Sequence, residues 1–160
     1  MLSGFDFKLL SLSDYNILPC DGCGSCARTK KCVLKDDCEK LFKELSGADV
    51  IVIGSPVHRL SSPATFRALV ERTSILFLRE ELWFGKTGGV VCIGRPMGSG
   101  KVNVAEELTS FLLSMGVAVV PPIVFGNAHT PGEIEKDKIA HSSLGLLAEN
   151  LNRYCLKAPN

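Results

Sequence analysis

Four cysteines, Cys20, Cys23, Cys26 and Cys32, stand within thirteen residues, in the run Pro-Cys-Asp-Gly-Cys-Gly-Ser-Cys-Ala-Arg-Thr-Lys-Lys-Cys-Val at 19–33. Their spacing is C-x2-C-x2-C-x5-C. A 4Fe-4S cube needs one thiolate on each iron; two-residue gaps wrap three corners of a cube and a longer gap reaches the fourth. Gly22 and Gly24 let the backbone turn close to inorganic sulfur, where its N–H groups can donate. Arg28, Lys30 and Lys31 add positive charge, which favours the thiolate and would stabilise a reduced, more negative cluster. Tetrahedral zinc is the competing chemistry. Structural zinc usually takes two separated cysteine pairs rather than one compact run, so iron-sulfur stands ahead of it. Cys92, in an apolar strand, and Cys155, near the C-terminus, read as packing residues. Cys38 is near enough to be a spare ligand, but its place at a helix start reads as structural.

The elements that must position this loop follow from hydrophobic periodicity. Short apolar runs bounded by turn residues alternate with segments of helical period, the pattern of parallel strands joined by crossover helices. Strands are expected at 7–12, 49–54, 89–94 and 117–125. A first helix should begin at Asp36 or Asp37, where acidic residues suit the positive end of the helix dipole, and stop at Gly47. A second starts at Ser62-Pro63 and runs toward Leu78. The third spans Asn103 to Met115 and ends at Gly116, and the last follows Pro131 to Leu156. The result is one open α/β domain over residues 1–160. Ligands of such sheets sit at the carboxyl ends of the strands, which singles out the loops at 13–35, 55–61, 95–102 and 126–130.

Two of those loops have residues that could face a ligand. Ser55, Pro56, Val57 and His58 follow a strand, where backbone amides and a flat apolar wall are available; a plain strand-to-helix turn is the alternative. In Arg95-Pro96-Met97-Gly98-Ser99-Gly100-Lys101, Gly98 and Gly100 permit close backbone approach, and Arg95 or Lys101 supplies charge. A solvated glycine turn is the other reading. The nucleotide motifs fail here. Arg95 occupies the place of the first Walker glycine and Val102 that of its Ser or Thr, while Asn103 stands where the dinucleotide fingerprint needs its third Gly.

Taken together, these residues resemble the iron-sulfur flavoproteins of the flavodoxin-like NADPH-dependent FMN reductase superfamily. The likeness rests on the cysteine spacing and on its approach, Leu12-Ser13-Asp14 into Ile17-Leu18-Pro19, and exit, Cys32-Val33 with Asp36-Asp37. It continues through 48–57, with Pro63, Arg67 and the Glu71-Arg72 pair following, through Gly85-Lys86-Thr87-Gly88-Gly89, and through Pro131-Gly132-Glu133-Ile134. The resemblance implies a three-layer α/β/α fold, FMN at Ser55 to His58 and at the Arg95 loop, and a 4Fe-4S cluster on the four cysteines. It also implies electron exchange with a ferredoxin-like donor or acceptor or with NAD(P)H, and a homo-oligomer. His58 stands where the family usually has Tyr. The family's first strand, Ser/Thr/Gly-rich phosphate loop and first helix have no counterpart; by position, 7–12 corresponds to the family's second strand, so the chain is expected to be an N-terminally truncated member. Rival functions are a NAD(P)H-dependent FMN or quinone reductase with no working cluster, and a zinc-stabilised, non-enzymatic α/β binding module. No residue is assigned as a catalytic acid or base; His58, His129 and His141 read as surface or structural.

Composition narrows the partners. Lys and Arg number 18 against 17 Asp and Glu, a net charge of +1, which gives no reason to expect a nucleic-acid or acidic-membrane surface. The longest apolar stretch falls short of the roughly 20 residues that cross a bilayer. Seven cysteines are an odd number and do not suggest a secreted disulfide framework. A soluble protein of a reducing cytoplasm is expected.

Overall fold

The Val-Ile-Val-Ile run forms the strand β1 (Val50–Pro56), and the valine-rich run after it in the sheet is β2 (Thr87–Gly94). The two pair in parallel, Val50 opposite Thr87 and Pro56 opposite Ile93. On its other side β2 pairs, again in parallel, with two short strands, β3 (Ala118–Val119) and β4 (Val124–Asn127). The structure is a computed structural model that describes residues 6–96 and 100–155.

Helices close both faces of this sheet. Gly88 and Gly89 are neighbours on β2 and therefore face opposite sides. A Cβ on Gly88 would come 3.3 Å from Leu112 of the helix α5 (Lys101–Ser114), and one on Gly89 would come 2.9 Å from Leu147 of α6 (Lys138–Cys155). Helix, sheet and helix thus form three layers, the expected flavodoxin-like α/β arrangement. The glycines are what let the helices close on the sheet. Val90, Cys92, Val104, Leu108, Leu112 and Leu147 are fully buried between the layers.

The chain divides into two compact units. The sheet, α5 and α6 belong to one, made of 49–62 and 84–155; the other holds 7–48 and 63–83. The second unit is helical, with α1 (Ser25–Thr29), α2 (Cys38–Ser46), α3 (Ala64–Arg72) and α4 (Ser74–Arg79). Its buried apolar side chains include Leu41, Phe42, Phe66, Leu69, Leu76 and Trp83.

Four expectations need correction. Residues 7–11 form no strand, and a 3-10 turn covers Leu12–Asp14. A strand of a covered sheet buries its apolar side chains, whereas Phe7 and Leu9 are exposed. The strand expected at 117–125 is two, because Pro121 and Pro122 have no N–H to donate to the ladder. The helix from Ser62 to Leu78 is also two, meeting at Thr73, whose hydroxyl bonds back to Val70 O at 2.7 Å. The last helix begins later than Pro131, at Lys138, after a 3-10 turn over Glu133–Lys136. Among the described residues no helix is long and apolar enough to cross a membrane.

Candidate functional site

The cysteine loop is pinned at its two ends and open in its middle. Asn16 N–H donates to Asp37 Oδ2 at 2.8 Å, and Asp37 N–H returns to Asn16 O at 2.9 Å. One residue further in, Leu18 N–H donates to Asp36 Oδ2 at 2.9 Å, while Asp36 Oδ1 accepts from Cys38 N–H at 3.1 Å and so serves the N-terminus of α2. The Asp36 carboxylate is also ion-paired with Arg72 of α3, and both side chains are buried, 1% and 4% exposed. Burial by itself would raise the Asp36 carboxyl. The Arg72 guanidinium and the Leu18 and Cys38 amides outweigh it and hold the carboxyl below its usual range.

Between those ends the backbone turns tightly. Gly22 and Gly24 take φ of 70° and 69°, as their type predicts, with open space where a Cβ would stand. Cys23 N–H donates to Asp21 Oδ1 at 3.1 Å, an Asx turn. Gly24 caps α1, which carries Cys26. The far end of α1 is tied to α4: Lys30 Nζ donates to Leu78 O at 2.7 Å and Arg79 Nε to Lys30 O at 2.8 Å. Arg79 also makes a two-pronged pair with Glu39 at 2.7 and 3.0 Å.

All four loop cysteines are free thiols; Cys20 and Cys23 are exposed and Cys26 and Cys32 half-buried. Among the described residues no three His, Cys, Asp or Glu side chains converge on a point that could hold a metal ion. The donor set nevertheless suits iron or zinc in kind, since it offers four unoxidised sulfurs on one solvent-reached loop. One further contact involves this set. Arg72 Nη2 donates to Cys32 Sγ at 3.3 Å, so a buried guanidinium fixes the place of one of the four sulfurs. Cys38 is different: it is 1% exposed in the first turn of α2, and desolvation pushes its thiol up to about 12. That suits packing rather than ligation. Cys92 is likewise buried and pushed up to about 11.

The second group of candidate residues lies at the carboxyl edge of the sheet. Because β1, β2 and β4 are parallel and Pro56 pairs with Ile93 and Gly94 with Asn127, their ends reach the same edge. Ser55 is buried and its hydroxyl donates to Pro56 O at 2.8 Å. The amides expected to face a ligand are engaged: Val57 N–H with Ile93 O at 3.0 Å and His58 N–H with Ser61 O at 2.8 Å. His58 and Ser61 close a tight turn whose central residues, Arg59 and Leu60, hold φ of 49° and 75°. Two consecutive non-glycine residues in the left-handed region cost of order 1–3 kcal/mol each. Gly100, with φ of 73°, lies against this turn, and a Cβ there would come 2.5 Å from Leu60 Cα. The glycine therefore allows two loops to touch. Arg95 is exposed; Gly98 falls outside the described residues.

Sequence reasoning left two features unassigned. Lys101 Nζ bonds Asn127 Oδ1, and Asn127 donates through N and Nδ2 to Asp137 Oδ2 at 2.8 and 3.0 Å, so the start of α5 and the end of β4 share one polar node. The Asp36 and Arg72 pair is the other. Its signal was present: Phe66, Leu69 and Arg72 share one face of α3, and an arginine on an apolar stripe needs a buried partner.

The model of the NADPH-dependent FMN reductase family matches residues 1–131. The chain is similar to the iron-sulfur flavoprotein of Methanocaldococcus jannaschii, with 29% identity over 143 residues, covering 85% of this chain and 74% of that protein. It is also similar to the iron-sulfur flavoprotein of Methanosarcina thermophila, with 24% identity over 148 residues, covering 92% and 78%. Among solved structures it resembles RosB bound to 8-demethyl-8-formylriboflavin-5'-phosphate, with a TM-score of 0.68 and 19% identity, covering 93% of this chain and 64% of that one. A flavodoxin from the domain Archaea gives 0.50 and 16%, covering 82% and 85%.

Proposed function

Since this chain belongs to the NADPH-dependent FMN reductase family and is an oxidoreductase, we propose that it is an iron-sulfur flavoprotein, with FMN at the carboxyl edge of the sheet and one 4Fe-4S cluster on Cys20, Cys23, Cys26 and Cys32. The observation that carries the reading is the donor set itself: four free thiols on one loop, with both ends of that loop tied to the buried Asp36 and Arg72 pair. The relatives named iron-sulfur flavoproteins support it.

Bound there, FMN would supply two-electron exchange and the cluster one-electron transfer. The protein's part is to hold and to tune. Gly22 and Gly24 set the turns that allow Cys20, Cys23 and Cys26 to gather, and Asp36 and Arg72 fix where the loop enters and leaves. At the other site, Pro56, His58 and Leu60 offer exposed surface for a flat ring, and Arg95 a cation for an anionic group. A ferredoxin-like protein or NAD(P)H is the proposed redox partner, in a reducing compartment, and the working form is a homo-oligomer.

Protein purified without oxygen is expected to contain about four iron and four sulfide per chain, together with FMN, measured on one sample by metal, sulfide and flavin analysis. Cys20→Ala and Cys26→Ala should each lose the iron while retaining the helical circular dichroism of the parent. Zinc without iron or sulfide would sink this reading in favour of the binding module. A second reading, a flavin or quinone reductase with no working cluster, is supported by the match to the NADPH-dependent FMN reductase family over residues 1–131. Steady NAD(P)H oxidation by iron-free protein would establish it.

A further inference from the structure

The Asp36 and Arg72 pair is expensive to bury. Removing both charges from water costs several kcal/mol per ion before their attraction offsets it, and well-packed apolar side chains often serve stability as well. Stability alone is therefore a poor reason for its presence. Its contacts suggest another, because they meet at the ends of the cysteine loop. Arg72 Nη1 donates to Leu18 O at 2.9 Å and to Asp36 Oδ2. Nη2 donates to Asp36 Oδ1 at 3.2 Å and to Cys32 Sγ at 3.3 Å. Asp36 in turn accepts from Leu18 and Cys38.

We propose that Arg72, oriented by Asp36, is the positioning residue for Cys32 and sets the reduction potential of the cluster that Cys32 helps to hold. The inference rests on the cluster reading above. Two physical effects follow from the geometry. The planar guanidinium has donors enough to bond carboxylate, carbonyl and sulfur together, which an ammonium on a flexible stem does not reproduce. Its charge is also buried, so it acts on the sulfur with little screening, whereas Arg28 and Lys31 are exposed and screened by water and salt. Hydrogen bonds and positive charge at a ligand sulfur favour the form carrying the extra electron and raise the potential. Reduction here adds one electron from an external donor and makes or breaks no bond to Arg72.

Two variants that leave no bare buried carboxylate test this. Arg72→Lys keeps the charge and loses the fork; the double variant Asp36→Asn with Arg72→Gln removes both charges and keeps a polar pair. In iron-loaded protein, redox titration should show the reduction equilibrium constant falling roughly tenfold, or ~59 mV for one electron, with a changed electron paramagnetic resonance signal of the reduced cluster. A merely structural role would lower the melting temperature or the iron yield and leave the potential alone. Constants within twofold of the parent in iron-loaded variants overturn the inference. A variant that takes up no iron is read by hydrogen exchange of the iron-free protein: faster exchange at the Leu18 and Cys38 amides supports the clamp, and unchanged exchange overturns it. Parent protein holding zinc and no iron would remove the cluster reading and this inference with it, whereas an iron-loaded parent with unmoved variants removes the inference alone.

Discussion

At the scale of single residues, one side chain type meets several environments in this protein. Cys20 and Cys23 are exposed, Cys26, Cys32 and Cys155 half-buried, and Cys38 and Cys92 buried. A thiol reacts as its thiolate, and desolvation disfavours the charged form. With thiols pushed up to about 12 and about 11, Cys38 and Cys92 carry almost no thiolate at pH 8. Iodoacetamide applied to iron-free, folded protein at that pH should therefore modify Cys20 and Cys23 first and leave Cys38 and Cys92 unmodified, as read by peptide mass spectrometry. Rapid labelling of Cys38 would contradict its role as a packed residue of α2. The four-cysteine loop was readable from spacing. Arg72 as its neighbour was not, because Cys32 and Arg72 are 40 positions apart and only folding makes them touch. The positive charge read from Arg28, Lys30 and Lys31 is differently disposed, since Lys30 turns to Leu78 O.

Among the elements, the segment between β4 and α6 shows how a turn is held by one carboxylate. Glu133 Oε2 accepts from His129 N–H at 2.6 Å and from Thr130 N–H at 3.1 Å, ahead of the 3-10 turn over Glu133–Lys136. Those amide bonds lower its pKa to about 2 from the ordinary 4.5. A carboxylate whose folded pKa is depressed contributes stability that is fully present above its unfolded pKa and lost as pH falls through its folded pKa. For Glu133 that window runs from about 4.5 down to about 2. A carboxyl-carbon NMR titration should place the Glu133 midpoint near the lower value, and the difference in unfolding free energy between parent and Glu133→Gln should shrink as pH falls across the window. A midpoint at the ordinary glutamate value would mean that these amide bonds do not form. The sequence showed an acidic residue after Pro131-Gly132, but the amides it accepts from are defined only once the turn at Gly132, φ 84°, is made.

For the whole molecule, the sheet unit is organised around β2, which pairs with strands on both sides and is covered by α5 and α6. The amides of Val90 and Cys92 should accordingly exchange with solvent among the slowest in the protein, through global opening of this unit. Leu147 is 1% exposed and packs with Val120, Val124 and Leu151. Leu147→Ala should cost ~2–5 kcal/mol, measured by denaturant unfolding, and should speed exchange at β2; a loss well below that range would show that the layer repacks around the cavity. The sequence alone determined the fold class, the three main apolar strand runs and the four-cysteine loop, because period, turn residues and cysteine spacing are local properties written in consecutive residues. Tertiary structure decided the rest: that 7–11 takes no strand conformation, that Pro121 and Pro122 split the last strand, that Gly100 serves the approach of Leu60, and that a buried arginine meets Cys32. Each depends on which distant groups share a desolvated space, where pairing, packing and charge compensation are settled between segments rather than within them.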